Sequence, residues 1–289
     1  MKKSGYLLLL ALVTVSANAK NKIVPLSEST ASTLEGKSLV VTRHAKPGFT
    51  AMTAGKAMFG LAGALAMVSA GNKIINDNQV EDPADILQRE LAPALAKRYG
   101  LVLKPATTPI IEEVNPKKIA STQTDTDYIL DIRSAGWMWV YYPSDWNNYA
   151  VYYMLQLQLI DAKSGVSVSK LNCNPHTKKD PHPPTKDAML ADGAALLKDM
   201  TQSLGWECLK LTKEQFRLTD SDLAATPEQY VDVLGKYAAT HPAPAGGTTP
   251  TAAALETSPA AADAAVTAAE PTEEPAANAD EEPMTGTVD

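Results

Sequence analysis

The segment that decides the fold runs from Tyr128 to Asp161 and reads YILDIRSAGWMWVYYPSDWNNYAVYYMLQLQLID. Side chains of a β-strand alternate between the two faces of a sheet, so apolar residues at every second position predict a strand with one buried face. In residues 128–142 the apolar face comprises Leu130, Ile132, Met138 and Val140. In residues 149–161 it comprises Val151, Tyr153, Leu155, Leu157 and Leu159. The turn-forming residues 143–148 join the two strands, so the segment predicts an antiparallel hairpin.

The rest of the chain extends this hairpin into a larger fold. Periodicity and turn residues predict strands at 37–43, 101–103 and 166–171, and helices at 50–75, 84–98 and 185–204. Gly205 is expected to end the last of these helices. This order predicts an α+β two-layer sandwich, with helices packed on one face of a mostly antiparallel sheet of about four to five strands.

The two ends of the sequence differ from the body between them. Residues 1–19 contain Lys2 and Lys3, an apolar run and an Ala17-Asn18-Ala19 cleavage motif, which together predict a secretory signal peptide. The protein is therefore expected in the bacterial periplasm or outside the cell. Residues 243–289 are rich in Ala and Pro and carry nine acidic residues but no Lys, Arg or aromatic residue, which predicts a disordered acidic tail. Residues 20–242 are then expected to form one α+β domain with its core at about 37–211.

The charge distribution bears on the class of partner. The chain has a formal net charge of −7, and the tail accounts for the excess of acid, which leaves residues 20–242 near neutrality. A neutral body with an acidic tail argues against a nucleic-acid-binding protein.

The chain contains two cysteines, Cys173 and Cys208. An even number of cysteines in an exported chain predicts a disulfide. A redox-active pair is disfavoured because the two residues lack the Cys-x-x-Cys spacing.

Two short motifs carry a family resemblance. Asp127-Tyr128-Ile129-Leu130 is followed by residues 157–165, LQLIDAKSG, and then by a strand and a helix. This resembles the periplasmic α/β domain shared by the curli-secretion channel, the outer-membrane activator of penicillin-binding proteins and the amino-terminal domain of the Tol translocation protein. The resemblance covers residues 37–204 in element order, and it implies a non-catalytic assembly or regulatory part. Several such proteins are lipoproteins, but this chain has no cysteine at the expected cleavage point.

The aromatic residues of the hairpin are the first candidate binding site. If Met138 and Val140 face the core, then Trp137, Trp139 and Tyr141 face outward, and Tyr152 does so from the face of Gln156 and Gln158. Trp146 lies in the turn. Such a surface must be covered by a helix, for which the helix at 50–75 is available, by a partner, by a glycan or by lipid.

Residues 57–71 form an uncharged stretch rich in Ala and Gly. Small residues allow another backbone to approach closely, which predicts a helix packed tightly on the sheet. The alternative is a helix that contacts a membrane or forms an oligomer. The stretch is too short to span a bilayer, because fifteen helical residues extend about 22 Å.

Two groups of residues could instead form a catalytic site or a metal site. Arg43 and His44 follow a predicted strand, similar to the opening of histidine phosphatases, but a suitable second histidine is missing. His176, Asp180 and His182 share a loop that could bind Zn²⁺ or Cu²⁺, although a third strong ligand is not adjacent and the prolines around it favour a stiff polar loop.

The sequence therefore predicts a non-catalytic, exported envelope protein that binds a protein partner through the aromatic hairpin, without cofactor or metal. The alternatives are a phosphatase-like hydrolase that uses Arg43 and His44, and a membrane-associating oligomeric subunit that uses residues 57–71.

Overall fold

A computed structural model describes residues 22–57, 59–107, 110–177 and 182–242. The predicted signal peptide, the predicted tail and Asp180 lie outside the described residues. Within the described chain seven strands form one sheet: β1 (Lys22–Val24), β2 (Ser38–Val41), β3 (Phe49–Ala51), β4 (Val102–Leu103), β5 (Tyr128–Tyr142), β6 (Asp145–Asp161) and β7 (Val166–Cys173). The α-helices of that part of the chain are α1 (Glu28–Ala31), α2 (Ala54–Ala57), α3 (Gly60–Asp77), α4 (Ala84–Tyr99), α5 (Pro116–Ser121), α6 (Lys186–Phe216) and α7 (Val233–Thr240). α6 is kinked near its start, where the backbone of residues 191–194 is not helical.

The predicted hairpin forms the centre of the sheet. β5 and β6 pair antiparallel from Tyr128 opposite Asp161 to Tyr142 opposite Asp145, and β7 pairs antiparallel with β6. The apolar face predicted for the second strand is confirmed, because all five of its side chains are buried in the main core: Val151, Tyr153, Leu155, Leu157 and Leu159. The alternation of apolar and polar residues along β6 thus sets which face of the sheet carries the core.

The other edge of β5 is paired with two short strands. The strand order is β1-β7-β6-β5-β2-β4, and β3 also pairs with β5. β2 lies parallel to β5 at Tyr128–Leu130, whereas β3 lies parallel to it at Trp137–Trp139. The chain between β2 and β3, residues 42–48, leaves the sheet and returns to the same strand. The sheet is therefore mixed, with parallel pairs on this side and antiparallel pairs on the other.

A β-bulge interrupts β5 in its middle. Ser134 pairs with Leu155, but the next pair joins Gly136 to Met154, so one extra residue is inserted in β5 alone. An inserted residue moves every following side chain to the opposite face of the sheet. The core-facing positions of β5 consequently pass from Leu130 and Ile132 to Trp137 and Trp139.

Two helices cover the core face. α4 and α6 pack against each other and against the sheet, and both contribute buried residues to the main core. Gly205 does not end a helix as expected, because α6 continues through it to Phe216. The glycine lies instead where α6 meets α4, since a Cβ there would come within 2.9 Å of Pro83 Cβ and 3.0 Å of Ile86 Cδ1. Here glycine serves close helix packing.

The opposite face of the sheet has a smaller apolar cluster. Ile119 of α5 and Ile111 pack there with Val40, Ile129 and Ile160. The α+β class is thus confirmed, with the long helices α4 and α6 on one face and the short helix α5 on the other. The sequence did not predict this second, smaller layer.

α3 packs through its glycines, as the small-residue pattern predicts. Its buried positions are Gly63, Met67, Gly71 and Ile75. A Cβ at Gly71 would collide with the carbonyl oxygen of Phe49 in β3, and a Cβ at Gly63 with that of Lys56. Asn72 supports the contact by accepting a hydrogen bond of 2.9 Å from the backbone N–H of Phe49.

A disulfide joins Cys173, at the end of β7, to Cys208 in α6. Both cysteines are fully buried in the main core. The bond connects the helical layer to the sheet across a separation of 35 residues.

Gly71→Ala is expected to destabilise the protein by about 1–3 kcal/mol, because the added methyl group overpacks the contact between α3 and β3. Gly55→Ala is the matched control, since a Cβ there meets no atom within 4 Å. Urea unfolding of both variants measures the difference. Equal stability of the two variants would contradict the close contact.

The double variant Cys173→Ala with Cys208→Ala is expected to lose roughly 3–4 kcal/mol in the chain-entropy model, since the bond closes a loop of 35 residues. Denaturant unfolding of the variant measures the loss. Non-reducing mass spectrometry of the natural protein should find a mass two hydrogens below that of the dithiol. Cysteines that react with maleimide without denaturant would refute the bond.

Candidate functional site

Trp137 and Trp139 lie in the core, and the expectation that they face outward is wrong. Their exposed fractions are 1% and 0%. The bulge at Ser134–Gly136 explains the error, because a count of alternating positions from Leu130 assigns every residue after the bulge to the wrong face. Met138 and Val140 accordingly lie on the opposite face of the sheet from Leu130.

The two tryptophans form an aromatic cluster under β3. Phe49 meets both of them edge-on, with ring centroids 5.4 Å from Trp137 and 5.6 Å from Trp139. The Trp137 indole N–H donates a 3.0 Å hydrogen bond to the carbonyl of Pro47, whereas the Trp139 Nε1 has no partner among the described residues. These contacts show that the two tryptophans pack in the core and are not available to bind a partner.

The other three predicted binding residues retain some exposure. Trp146 is 62% exposed at the hairpin tip, where its N–H donates to the Pro143 carbonyl at 3.1 Å. Tyr141 and Tyr152 are half-buried. The Tyr152 ring lies 5.1 Å from that of His176, and burial raises the pKa of Tyr152 to about 12. The predicted hairpin site is therefore divided between core and surface.

The large apolar side chains with the highest exposed fractions in the described part of the chain lie at the start of α3. Phe59, Leu61 and Leu65 are 72%, 78% and 66% exposed. Leu61 and Leu65 lie on the side of α3 away from Gly63 and Gly71, which face Lys56 and β3. Phe59 is the N-cap residue, and its Cβ lies 3.3 Å from where a Cβ at Gly63 would be. The signal for this surface was present in residues 57–71, because Leu61 and Leu65 are four residues apart on one side of the helix and the buried glycines lie on another.

The start of α3 and Trp146 lie at the same end of the sheet. Ala51 of β3 pairs with Trp139, so the chain after Ala51 runs toward the hairpin turn. α3 then returns antiparallel, with Gly63 beside Lys56 and Gly71 beside Phe49. Hereafter "the apolar end" denotes Phe59, Leu61, Leu65 and Trp146. No helix in the described part of the chain is long and apolar enough to cross a membrane.

His44 forms a dyad with a buried aspartate that the sequence did not single out. Its Nε2 lies 2.6 Å from Asp131 Oδ1, and Asp131 also accepts hydrogen bonds from Thr42 at 2.7 Å and Gln158 at 2.9 Å. Burial alone would raise the pKa of Asp131, but the hydrogen bonds that it accepts from His44, Gln158 and Thr42 outweigh burial and lower the pKa. A single Asp within an otherwise apolar strand segment was the available signal.

Arg43 does not join this dyad. Its side chain is exposed, its backbone N–H donates to Thr107 Oγ1 at 3.0 Å, and it is absent from the cleft that His44 lines. Successive residues of an extended chain point in opposite directions, which separates Arg43 from His44. The pair required for a phosphatase-like pocket is therefore not brought together.

The predicted metal loop is described only in part, because Asp180 lies outside the described residues. His176 forms an isolated bridge with Tyr152. The described residues contain no group of three His, Cys, Asp or Glu side chains that could hold a metal ion.

No protein-family model matches the sequence, and no curated protein matches it. Two solved PelC dodecamers from Paraburkholderia phytofirmans show a distant likeness. One is 10% identical with a TM-score of 0.27 and covers 68% of this chain and 98% of that chain. The other, a single-residue variant, is 12% identical with a TM-score of 0.26 and covers 64% and 95%. TM-scores this low carry no conclusion about function or assembly, and the resemblance to the curli-secretion group stays a prediction.

Trp139→Ala is expected to destabilise the protein by about 3–5 kcal/mol, because it leaves a cavity against Phe49. Trp146→Ala, at the exposed hairpin tip, is the matched control and should change stability by about 0.5 kcal/mol or less. Denaturant unfolding followed by circular dichroism compares them. A stable Trp139→Ala variant would restore the surface role that the burial of Trp139 argues against.

Proposed function

We propose that the protein is a non-catalytic component of the bacterial cell envelope that attaches peripherally to a membrane surface through the apolar end. The observation that carries the proposal is the exposure of Leu61 and Leu65 on one side of α3, whose other side is closely packed, together with the exposure of Phe59 at the start of the helix. An amphipathic helix with Leu on its free face and Phe at its start can insert into the boundary between headgroups and acyl chains.

The charges of residues 50–76, which contain α3, favour a lipid surface. Between Thr50 and Asn76 the only charged residues are Lys56 and Lys73, so the segment carries no acidic group that anionic lipids would repel. Trp146 adds an amphipathic indole at the same end, and tryptophan is enriched at membrane interfaces. The disulfide supports an exported location, since such bonds persist in oxidising compartments.

A protein adaptor is the second candidate, favoured by the exposure of Trp146 at the hairpin tip. Tryptophan is enriched among residues that dominate binding energy in protein interfaces. In this reading the partner docks on the apolar end, because Trp137 and Trp139 are enclosed. The hydrolase alternative lacks such support, since Arg43 lies away from the cleft of His44.

Leu61→Glu and Leu65→Glu are each expected to weaken vesicle binding roughly tenfold or more, because each removes about 1.5–3 kcal/mol of apolar burial. The measurement is flotation of the mature protein, without the predicted signal peptide, with vesicles of phosphatidylethanolamine and phosphatidylglycerol. Val166→Glu is the matched control, because Val166 is 52% exposed but starts β7 at the other end of the hairpin.

Flotation that is absent in the natural protein, or equal in all variants, would refute the membrane proposal. Loss of a discrete oligomer or of a crosslinked envelope protein in Leu61→Glu and Trp146→Ala, without vesicle binding in the natural protein, would instead support the adaptor.

A further inference from the structure

A polar cleft of about 470 Å³ lies beside the segment that joins β2 to β3. His44 and Lys46 line one side, the end of α3 lines another, and the start of α4 closes it. The polar residues that matter for its chemistry are His44, Lys46, Glu81, Asp82 and Asp85. The cleft is separate from the apolar end, which lies at the opposite terminus of α3.

One ring nitrogen of His44 is held by Asp131, and the other has no partner among the described residues. Its side chain is only 8% exposed, and its Nε2 is held by Asp131. Since the carboxylate of Asp131 accepts hydrogen bonds, a neutral His44 carries its proton on Nε2 and leaves a lone pair on Nδ1. Nδ1 has no hydrogen-bond partner among the described residues. A nine-tenths buried imidazole with a fixed tautomer thus supplies an acceptor where His44 lines the cleft.

Asp82 supplies a second free acceptor. The hydrogen bonds from Ala84 N–H and Ser134 Oγ both end on Asp82 Oδ1, which leaves Oδ2 without a partner in the described part of the chain. Burial raises the pKa of Asp82, and these hydrogen bonds and the charge of Lys46 only partly offset that effect. A partly buried carboxylate without a contacting cation is stabilised when a cationic group approaches.

Asp85 and Glu81 extend the acidic side. Burial, followed by the charges of Asp82 and Glu81, raises the pKa of Asp85. Neither side chain forms an ion pair or hydrogen bond with the residues that the structure describes. Three carboxyl groups therefore line the cleft. The charge of Lys46 acts on Asp82 and Asp85, and that of Arg89 on Asp85, but none of the three carboxyl groups forms an ion pair with a described residue.

Lys46 does not neutralise these carboxyl groups by contact. Its ammonium donates a 3.1 Å hydrogen bond to the Val80 carbonyl and lies 5.8 Å from the centroid of the Trp137 ring. It forms no salt bridge within the described residues. The lysine is thus held at the wall of the cleft, and the acidic side remains open.

We propose that this cleft binds a small organic cation with N–H donors, a primary amine or diamine. One N–H would donate to His44 Nδ1, and the ammonium group would lie against Asp82 and Asp85. An N–H donor fits the free lone pair of His44, and a positive charge fits the unpaired carboxylates. A metal ion fits less well, because the described residues contain no group of three suitable side chains.

The test is a titration of the full mature protein with putrescine, followed through the His44 imidazole proton signals in NMR. The chain has four histidines, so the His44 signal is assigned by its loss in His44→Gln. At about 0.15 M salt, charges further apart than about 8 Å are largely screened, which suppresses binding to the acidic tail. We expect a saturable shift of the His44 signal with putrescine and none with 1,4-butanediol, which has the same length but no charge.

Asp82→Asn and Asp85→Asn should each weaken putrescine binding roughly tenfold or more, because each removes a charged acceptor. Asp220→Asn is the matched control, since Asp220 pairs with Lys213 on the surface and lies outside the cleft. Circular dichroism verifies the fold of each variant, and Asp85→Asn remains informative if Asp82→Asn unfolds. A His44 signal that does not move, an equal affinity in all variants, or equal binding of the diol would each overturn the proposal.

Discussion

The extra residue between Ser134 and Gly136 governs which side chains of β5 enter the core. Before it, Leu130 and Ile132 face α4 and α6, whereas Asp131 and Arg133 face the other way; after it, Trp137 and Trp139 take the inward positions. A Cβ at Gly136 would come within 2.6 Å of the terminal methyl carbon of Met154, so the glycine leaves room for the end of the Met154 side chain at the bulge. Because of this change of face, Trp137 and Trp139 can pack against Phe49, and this packing helps to hold β3 at the edge of β5.

Much of the fold is readable from local patterns, because those patterns report local causes. The alternation of Val151 to Leu159 reports a strand with one buried face, and Gly63 and Gly71 report a close backbone contact. The bulge is not readable in this way, since alternation continues on both sides of it and only its phase changes. The prediction that Gly205 ends a helix was wrong for a related reason. In a sequence, a glycine that ends a helix looks the same as one that lets a neighbouring helix approach, and the neighbour, here Pro83, is known only from the structure.

The candidate sites also differ in whether local sequence patterns could reveal them. Residues 57–71 were predicted as a packed helix or a contact surface, and α3 combines a buried glycine side with the exposed Phe59, Leu61 and Leu65. The sequence singled out His44 but not Asp131, which lies far from it along the chain and meets it only because β2 and β5 are neighbours. The acidic side of the cleft was equally hidden, since it depends on how the end of α3 and the start of α4 face residues 42–48.

β2 and β3 both pair with the same edge of β5, and this arrangement has a consequence for the order in which the chain folds. β5, β6 and β7 are joined by short turns, so their pairing closes small loops and costs little chain entropy. The pairing of Thr50 with Met138 instead closes a loop that contains α3, α4 and α5. Contacts between distant segments form late in folding, and a three-residue strand anchored at one edge is among the first units to open. Hydrogen exchange should therefore be slowest in β5, β6 and β7 and faster in β3, so the contact between α3 and β3 should open more readily than the centre of the sheet.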